Sequence, residues 1–117
     1  MTALFGDAWD LLKAPAVAHR GVWAKTGAPE NSLGAFQAAC QAGYGIELDV
    51  HLSADGEAVV FHDDTLQRIC GVEGRLRDHK AADLGKLALS GTDETIPTLA
   101  DALTLIGHRA LVHAPLP

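Results

Sequence analysis

Apolar and polar positions alternate most cleanly in the middle of the chain. Ile46, Leu48 and Val50 interleave with Glu47, Asp49 and His51, the period of two expected of a strand whose faces meet different surroundings. A second apolar run, Val59 to Phe61, ends at His62. The eight residues from His51 to Ala58 reach about 26 Å when extended, too little for a crossover helix, so the two runs are joined by a tight parallel return or by a hairpin turning at Asp55-Gly56. Upstream, Pro15 to His19 is a brief apolar run entering Arg20-Gly21, which reads as a buried strand ending in a turn. After the loop from Val22 to Pro29, a helix begins near Asn31 or Ser32, either of which can cap it. Leu33, Phe36 and Cys40 fall on one face of that helix and Gly43 closes it. Strand, helix, strand in this order is the βαβ unit of a parallel sheet.

The flanks follow the same logic. Leu4, Phe5, Ala8, Trp9, Leu11 and Leu12 give Met1 to Ala14 a helical rhythm that Pro15 ends, suited to capping the bottom of a barrel or sheet. Asp64 to Arg77, with Gly71 and Gly74, reads as a loop or small excursion. Ala81 to Leu89 has helical spacing weakened by Gly85. Beyond the polar loop Thr92 to Thr95, Thr98 and Asp101 stand at capping-box spacing ahead of a helix with Leu99, Leu103 and Ile106 on one face and Gly107 as its stop. Ala110 to Ala114 begins a further strand, which Pro115 and Pro117 cut off.

Composition changes this picture little. The 117 residues suffice for one small domain, and 48% hydrophobic with 21% charged residues is an ordinary globular mixture. The net charge of -6 and the lack of any Lys or Arg run argue against nucleic acid as a partner. An anionic substrate would therefore need a local positive site, such as a bound metal or a well-placed arginine. Cys40 and Cys70 are too few and too far apart for a zinc motif or a disulfide framework. With no signal-peptide pattern and no stretch of membrane-spanning length, a cytoplasmic, reducing location is expected.

Chemistry concentrates at the strand ends. Glu47 and Asp49 project from one face of an apolar strand, an arrangement that calls for a positive partner: a divalent cation held by hard oxygen ligands, or paired arginines. His19 and His62 each end a strand. Two histidines facing one cleft can divide proton transfer, one taking a proton from the attacking oxygen and the other giving one to the leaving oxygen. Arg20 adds a permanently charged fork suited to phosphate oxygens. Together these five residues describe metal-assisted displacement at a phosphodiester. His51 is expected at the rim, Glu30 and Asn31 as helix-start residues, and Asp63 and Asp64 as turn or capping carboxylates.

The stretches AHRG, PENSLGAF, GIELDVHLSADG, AVVFHDDTLQRICGVEG and ETIPTLADAL, in this order, closely resemble the N-terminal part of the glycerophosphodiester phosphodiesterase family. The resemblance covers about residues 15–106, with its motifs between Ala18 and Ile106. It implies an α/β fold, the N-terminal part of a (β/α)8 TIM barrel of the phospholipase C-like phosphodiesterase type, with its site at the C-terminal ends of the strands. It implies hydrolysis of small-molecule glycerophosphodiesters to an alcohol and sn-glycerol 3-phosphate, with Mg2+ or Ca2+ as cofactor. His19 and His62 carry over as the acid/base pair, Arg20 as a phosphate contact, and Glu47 and Asp49 as metal ligands. Two rival readings are a non-catalytic barrel remnant serving as an interaction module, and another phosphodiester-lipid hydrolase of the same barrel type. PENSLGAF and the IPTL segment favour the first family over the second rival.

The chain departs from the family pattern after Ile106. Barrels of this kind take about 250 residues, and the family's next motif is a strand bearing Glu, one intervening residue and Lys. Here the run is LVHAPLP, with Pro115 about where the Glu would stand and Pro117 about where the Lys would stand. A fragment of one domain over 1–117 is therefore expected, from a reading-frame change or an incomplete gene model. Such a half barrel would expose strand edges, favour self-association and have impaired activity.

Overall fold

The computed structural model describes residues 17–23 and 27–115. The expected helix over Met1 to Ala14 lies outside the described residues, as does Pro117. In chain order the elements are β1 (Val17–His19), α1 (Leu33–Ala42), β2 (Gly45–Glu47), β3 (Val50–Leu52) and β4 (Ala58–Val60). Two one-turn helices follow, α2 (Gln67–Cys70) and α3 (Ala81–Leu84), with a 3-10 turn at Leu76–Asp78 between them. The last elements are α4 (Leu99–Ile106) and β5 (Val112–His113).

β1, β2 and β5 form a parallel sheet with β2 in the centre. Val17, Ala18 and His19 lie opposite Gly45, Ile46 and Glu47, and Ile46 and Glu47 lie opposite Val112 and His113. This register places His19, Glu47 and His113 in one row at the C-terminal ends of three parallel strands. The βαβ unit exists because α1 has a capped beginning and a defined end. Ser32 Oγ accepts from Ala35 N at 3.0 Å, and Gly43 adopts φ 78, sending its N–H back to the last carbonyls of the helix.

The alternating stretch is broken after Glu47 yet keeps its period. Ile46, Leu48 and Val50 are all buried, whereas Glu47, Asp49 and His51 remain partly accessible. The connection left open by its length is a hairpin. β3 and β4 pair antiparallel, Val50 with Val60 and Leu52 with Ala58, and the turn closes at Gly56 with φ 79. Val59–His62 therefore does not join the parallel sheet. Its end nevertheless stays near the carboxylate strand, because Phe61 N donates to Asp49 O at 3.0 Å.

Among the described residues the core comprises two apolar clusters, and β4 serves both. Val60 belongs to the cluster with Phe36, Ala39, Ile46, Leu48, Ala102 and Ile106. Val59, its neighbour on the opposite face, joins Phe61, Leu66, Ile69, Leu76, Leu84, Leu89 and Ile96. The excursion after Asp64 is thus a small packed unit, with Leu66, Ile69 and Leu76 buried beneath its turns. The helical stretch expected to reach Leu89 stops at Leu84, where Gly85 caps it. α4 begins as its capping pattern predicts, Asp101 N donating to Thr98 Oγ1 at 3.0 Å. Its buried face is carried by Ala102 and Ile106, however, and Leu103 is 45% exposed. β5 ends before Pro115, which is exposed.

Candidate active site

The site is built on the loop that leaves β1. Arg20 adopts φ 61 and Gly21 φ 85, two successive left-handed residues that turn the chain sharply at the strand end. A methyl group at Gly21 would lie 2.7 Å from Ala35 Cβ and 2.8 Å from Ala35 C. The close approach of this loop to α1 therefore requires glycine. Backbone bonds fix the turn from both sides: Arg20 N donates to Glu47 O at 2.7 Å, and Asn31 N donates to Arg20 O at 2.9 Å.

Four of the five residues singled out in the sequence meet directly. His19 Nε2 lies 3.5 Å from Glu47 Oε1, and Arg20 Nε lies 3.5 Å from Asp49 Oδ2. Neither contact is a formed hydrogen bond. Among the described residues, Glu47 Oε1 and Arg20 Nε are both buried without a hydrogen-bond partner, leaving a bare acceptor and a bare donor in one small region. Orphaned buried groups of this kind are rare and costly. Among the described residues, no group of three or more His, Cys, Asp or Glu side chains converges as a metal cage. His62, the fifth residue, joins through intermediaries. Its Nδ1 lies 2.8 Å from Asp63 Oδ1, and its carbonyl takes a 2.8 Å hydrogen bond from His51 Nε2.

Those intermediaries carry the electrostatics, and the chain's pattern assigned them plainer roles. Asn31, expected only at the helix start, donates Nδ2 to Asp49 Oδ2 at 3.0 Å and orients that carboxylate. Its φ of 57 turns it away from the helix it precedes. Glu30, with only 5% of its side chain exposed, is clamped by Arg68, whose Nη1 and Nη2 donate at 2.9 and 3.0 Å; Arg20 Nη1 lies 3.3 Å away. Burial alone would raise the Glu30 pKa, but the hydrogen bonds and charge of Arg68, helped by Arg20, outweigh it and hold the group below its ordinary value. Asp63 binds the same guanidinium through both oxygens, at 2.8 and 2.9 Å. Arg68 holds the Asp63 pKa down to about 2, with His62 contributing further.

The sequence signal for these partners was weak. A Glu beside a cap residue and an Asp after a strand have common local roles, and only the fold shows that Arg68, 38 residues from Glu30, reaches both. His51, expected at the rim, also lines a cavity of about 400 Å3 with Asp64, Thr65, Arg75, Leu76 and Arg77.

The family model for glycerophosphoryl diester phosphodiesterases matches residues 19–113, nearly the whole of the described chain and every residue of the cluster above. The chain belongs to the glycerophosphoryl diester phosphodiesterase family. A glycerophosphodiester phosphodiesterase of Caldanaerobacter subterraneus subsp. tengcongensis is 38% identical over 105 residues, 84% of this chain and 42% of that relative. Among solved structures, an Oleispira antarctica phosphodiesterase in complex with sn-glycerol-3-phosphate superposes with TM-score 0.81 at 35% identity, covering 92% of this chain and 46% of the other. The glycerophosphodiester phosphodiesterase of Thermotoga maritima gives TM-score 0.76 at 36% identity over 88% and 43%. The chain thus spans less than half the length of the family members it matches. Its α/β fold corresponds to about half of their larger barrels.

Proposed function

We propose that this chain contributes the β1, β2 and β4 strand-end residues of a metal-dependent glycerophosphodiester hydrolase, releasing an alcohol and sn-glycerol 3-phosphate. The observation that carries this reading is the pair of orphaned groups. Glu47 Oε1, an anionic acceptor with no hydrogen-bond donor among the described residues, fits a hard cation, and Arg20 Nε, a donor with no hydrogen-bond acceptor among them, fits a phosphoryl oxygen. Glu47 and Asp49 are the residues that would hold Mg2+ or Ca2+, the latter carboxylate being pre-oriented by Asn31. A cation bound there supplies Lewis-acid polarisation of the phosphoryl group.

The chain's own residues do the rest. Arg20 binds and orients the phosphate. One histidine of the pair His19 and His62 accepts the proton of the attacking oxygen, while the other protonates the alcohol oxygen as its bond to phosphorus breaks. The 67% exposure of the His19 ring and its 3.5 Å separation from Glu47 support that role. The two free cysteines suit the reducing, cytoplasmic setting proposed with this function, and among the described residues no helix is long and apolar enough to cross a membrane.

Two carboxylates bind a divalent ion weakly, with a dissociation constant on the order of 10⁻³ M. Titrating the purified chain with Mg2+ or Ca2+ and sn-glycerol 3-phosphate should therefore shift the NMR resonances of Glu47, Asp49 and Arg20 in that range, and Glu47→Gln should abolish the cation response. Hydrolysis of a glycerophosphodiester by the chain alone should be slow, and what there is should disappear with His19→Ala. Absence of any cation or phosphate response at saturating concentrations would refute the reading.

A further inference from the structure

We propose that Arg68 is the positioning residue of this site: by gripping Asp63 and Glu30 at once, it sets the proton of neutral His62 on Nδ1 and reserves Nε2 for proton transfer. The role of His62 in proton transfer rests on the function proposed above. The placement of its proton follows from geometry.

An ionised carboxylate can only accept hydrogen bonds. Asp63 Oδ1 lies 2.8 Å from His62 Nδ1, so in the neutral ring the proton of that contact belongs to Nδ1. The strength of this preference depends on where the Asp63 carboxylate points. Asp63 is adjacent to His62 in sequence and sits on a loop, and the His62 side chain is 43% exposed, so local packing alone would not hold the pair. Arg68 supplies the constraint. Its Nε donates to Asp63 Oδ2 at 2.8 Å and its Nη2 to Oδ1 at 2.9 Å, a two-point grip that fixes the plane of the carboxylate.

The guanidinium is in turn fixed from behind. Nη1 and Nη2 bind both oxygens of buried Glu30, and the backbone carrying Arg68 is pinned by Ile69, whose side chain is buried in the second apolar cluster. Glu30 also faces Arg20. The result is a continuous line of contacts, His62, Asp63, Arg68, Glu30, Arg20, Asp49, running from one proposed proton-transfer group to the proposed phosphate contact and cation ligand. Among the described residues His62 Nε2 has no hydrogen-bond partner, which leaves it as the ring nitrogen able to meet substrate. A lysine could not replace the grip, because an ammonium is a point charge without the planar fork that binds two carboxylates bidentately.

The test is the ring-nitrogen spectrum of His62 in the 15N-labelled full chain above the pH at which the imidazole is neutral. Wild type should show a protonated Nδ1 and a bare Nε2. Arg68→Met should lose that signature and give the mixed or inverted tautomers of an unconstrained histidine. Backbone resonances of β1, β2 and α1 should stay in place. Arg68→Lys, which keeps the charge, should fail to restore it. An Nε2–H tautomer in wild type overturns the proposal outright, as does an unchanged Nδ1–H signature in a folded Arg68→Met chain. If Arg68→Met does not fold, Arg68→Lys decides by the same criterion. This readout needs neither cation nor turnover, so a failed hydrolase reading would show as absent cation and phosphate binding with the tautomer intact. A failed tautomer result would leave the cation response untouched.

Discussion

At the scale of single residues, the site is organised by which charges are compensated and which are not. Glu30 and Asp63 share one guanidinium, whereas among the described residues Glu47 Oε1 and Arg20 Nε have ionic neighbours at 3.5 Å but no hydrogen-bond partner. The compensated pair has a pH consequence. Asp63 has a folded value of about 2, below its unfolded 3.8, so its contribution is fully present above about pH 4 and is lost as the pH falls through about 2. Arg68 is half exposed, and solvent screening limits this contribution to about 1 kcal/mol. Glu30, also held below its ordinary value, acts in the same direction. Unfolding measurements should show stability that is level from pH 6 to about pH 5 and declines on further acidification. In Asp63→Asn the decline should be shallower; an equally deep acid limb there would show that this carboxylate is not the source.

At the scale of elements, the decisive feature is how the loop after β1 is held against α1. Ser32 caps the helix and Gly21 allows the loop to touch it. Ser32→Ala should cost about 1 kcal/mol, the ordinary value of a lost N-cap. Gly21→Ala should cost more, about 2–3 kcal/mol, because it adds strain at φ 85 to a steric conflict with the Ala35 backbone. The two should also differ in kind. The cap variant should retain its cation response, while the glycine variant displaces Arg20 and should lose the phosphate response. Equal loss of both responses in the two variants would mean that the loop and the helix do not move independently.

At the scale of the whole molecule, stability among the described residues comes from two apolar clusters rather than from sheet length, since the strands of the parallel sheet are only two or three residues long. Phe36, fully buried where α1 packs on β2, should cost about 3–5 kcal/mol when cut to Ala. Leu103, which by its spacing belonged to the buried face of α4, is 45% exposed. Leu103→Ala should therefore change stability by less than about 0.5 kcal/mol. Thermal denaturation of both variants separates the observed helix face from the one the periodicity suggested, and a large loss at Leu103 would place that side chain in a contact the described chain does not make.

Much of the fold was legible because its signals are local. Alternation of Ile46, Leu48 and Val50 with charged residues, the caps at Ser32 and Thr98, and the stops at Gly43 and Gly107 depend on neighbours a few residues away. The chain itself therefore determined the βαβ unit, the strand-end placement of His19, Arg20, Glu47 and Asp49, and, through its motifs, the family. Only the tertiary structure decided that Val59–His62 folds back as a hairpin, since a short connection between two apolar runs suits either direction. Only it decided that Glu30, Asn31, Asp63 and Arg68 complete the cluster. Hydrogen bonds and ion pairs depend on distance in space, and no spacing along the chain announces that one guanidinium will close between two carboxylates 33 residues apart on different loops.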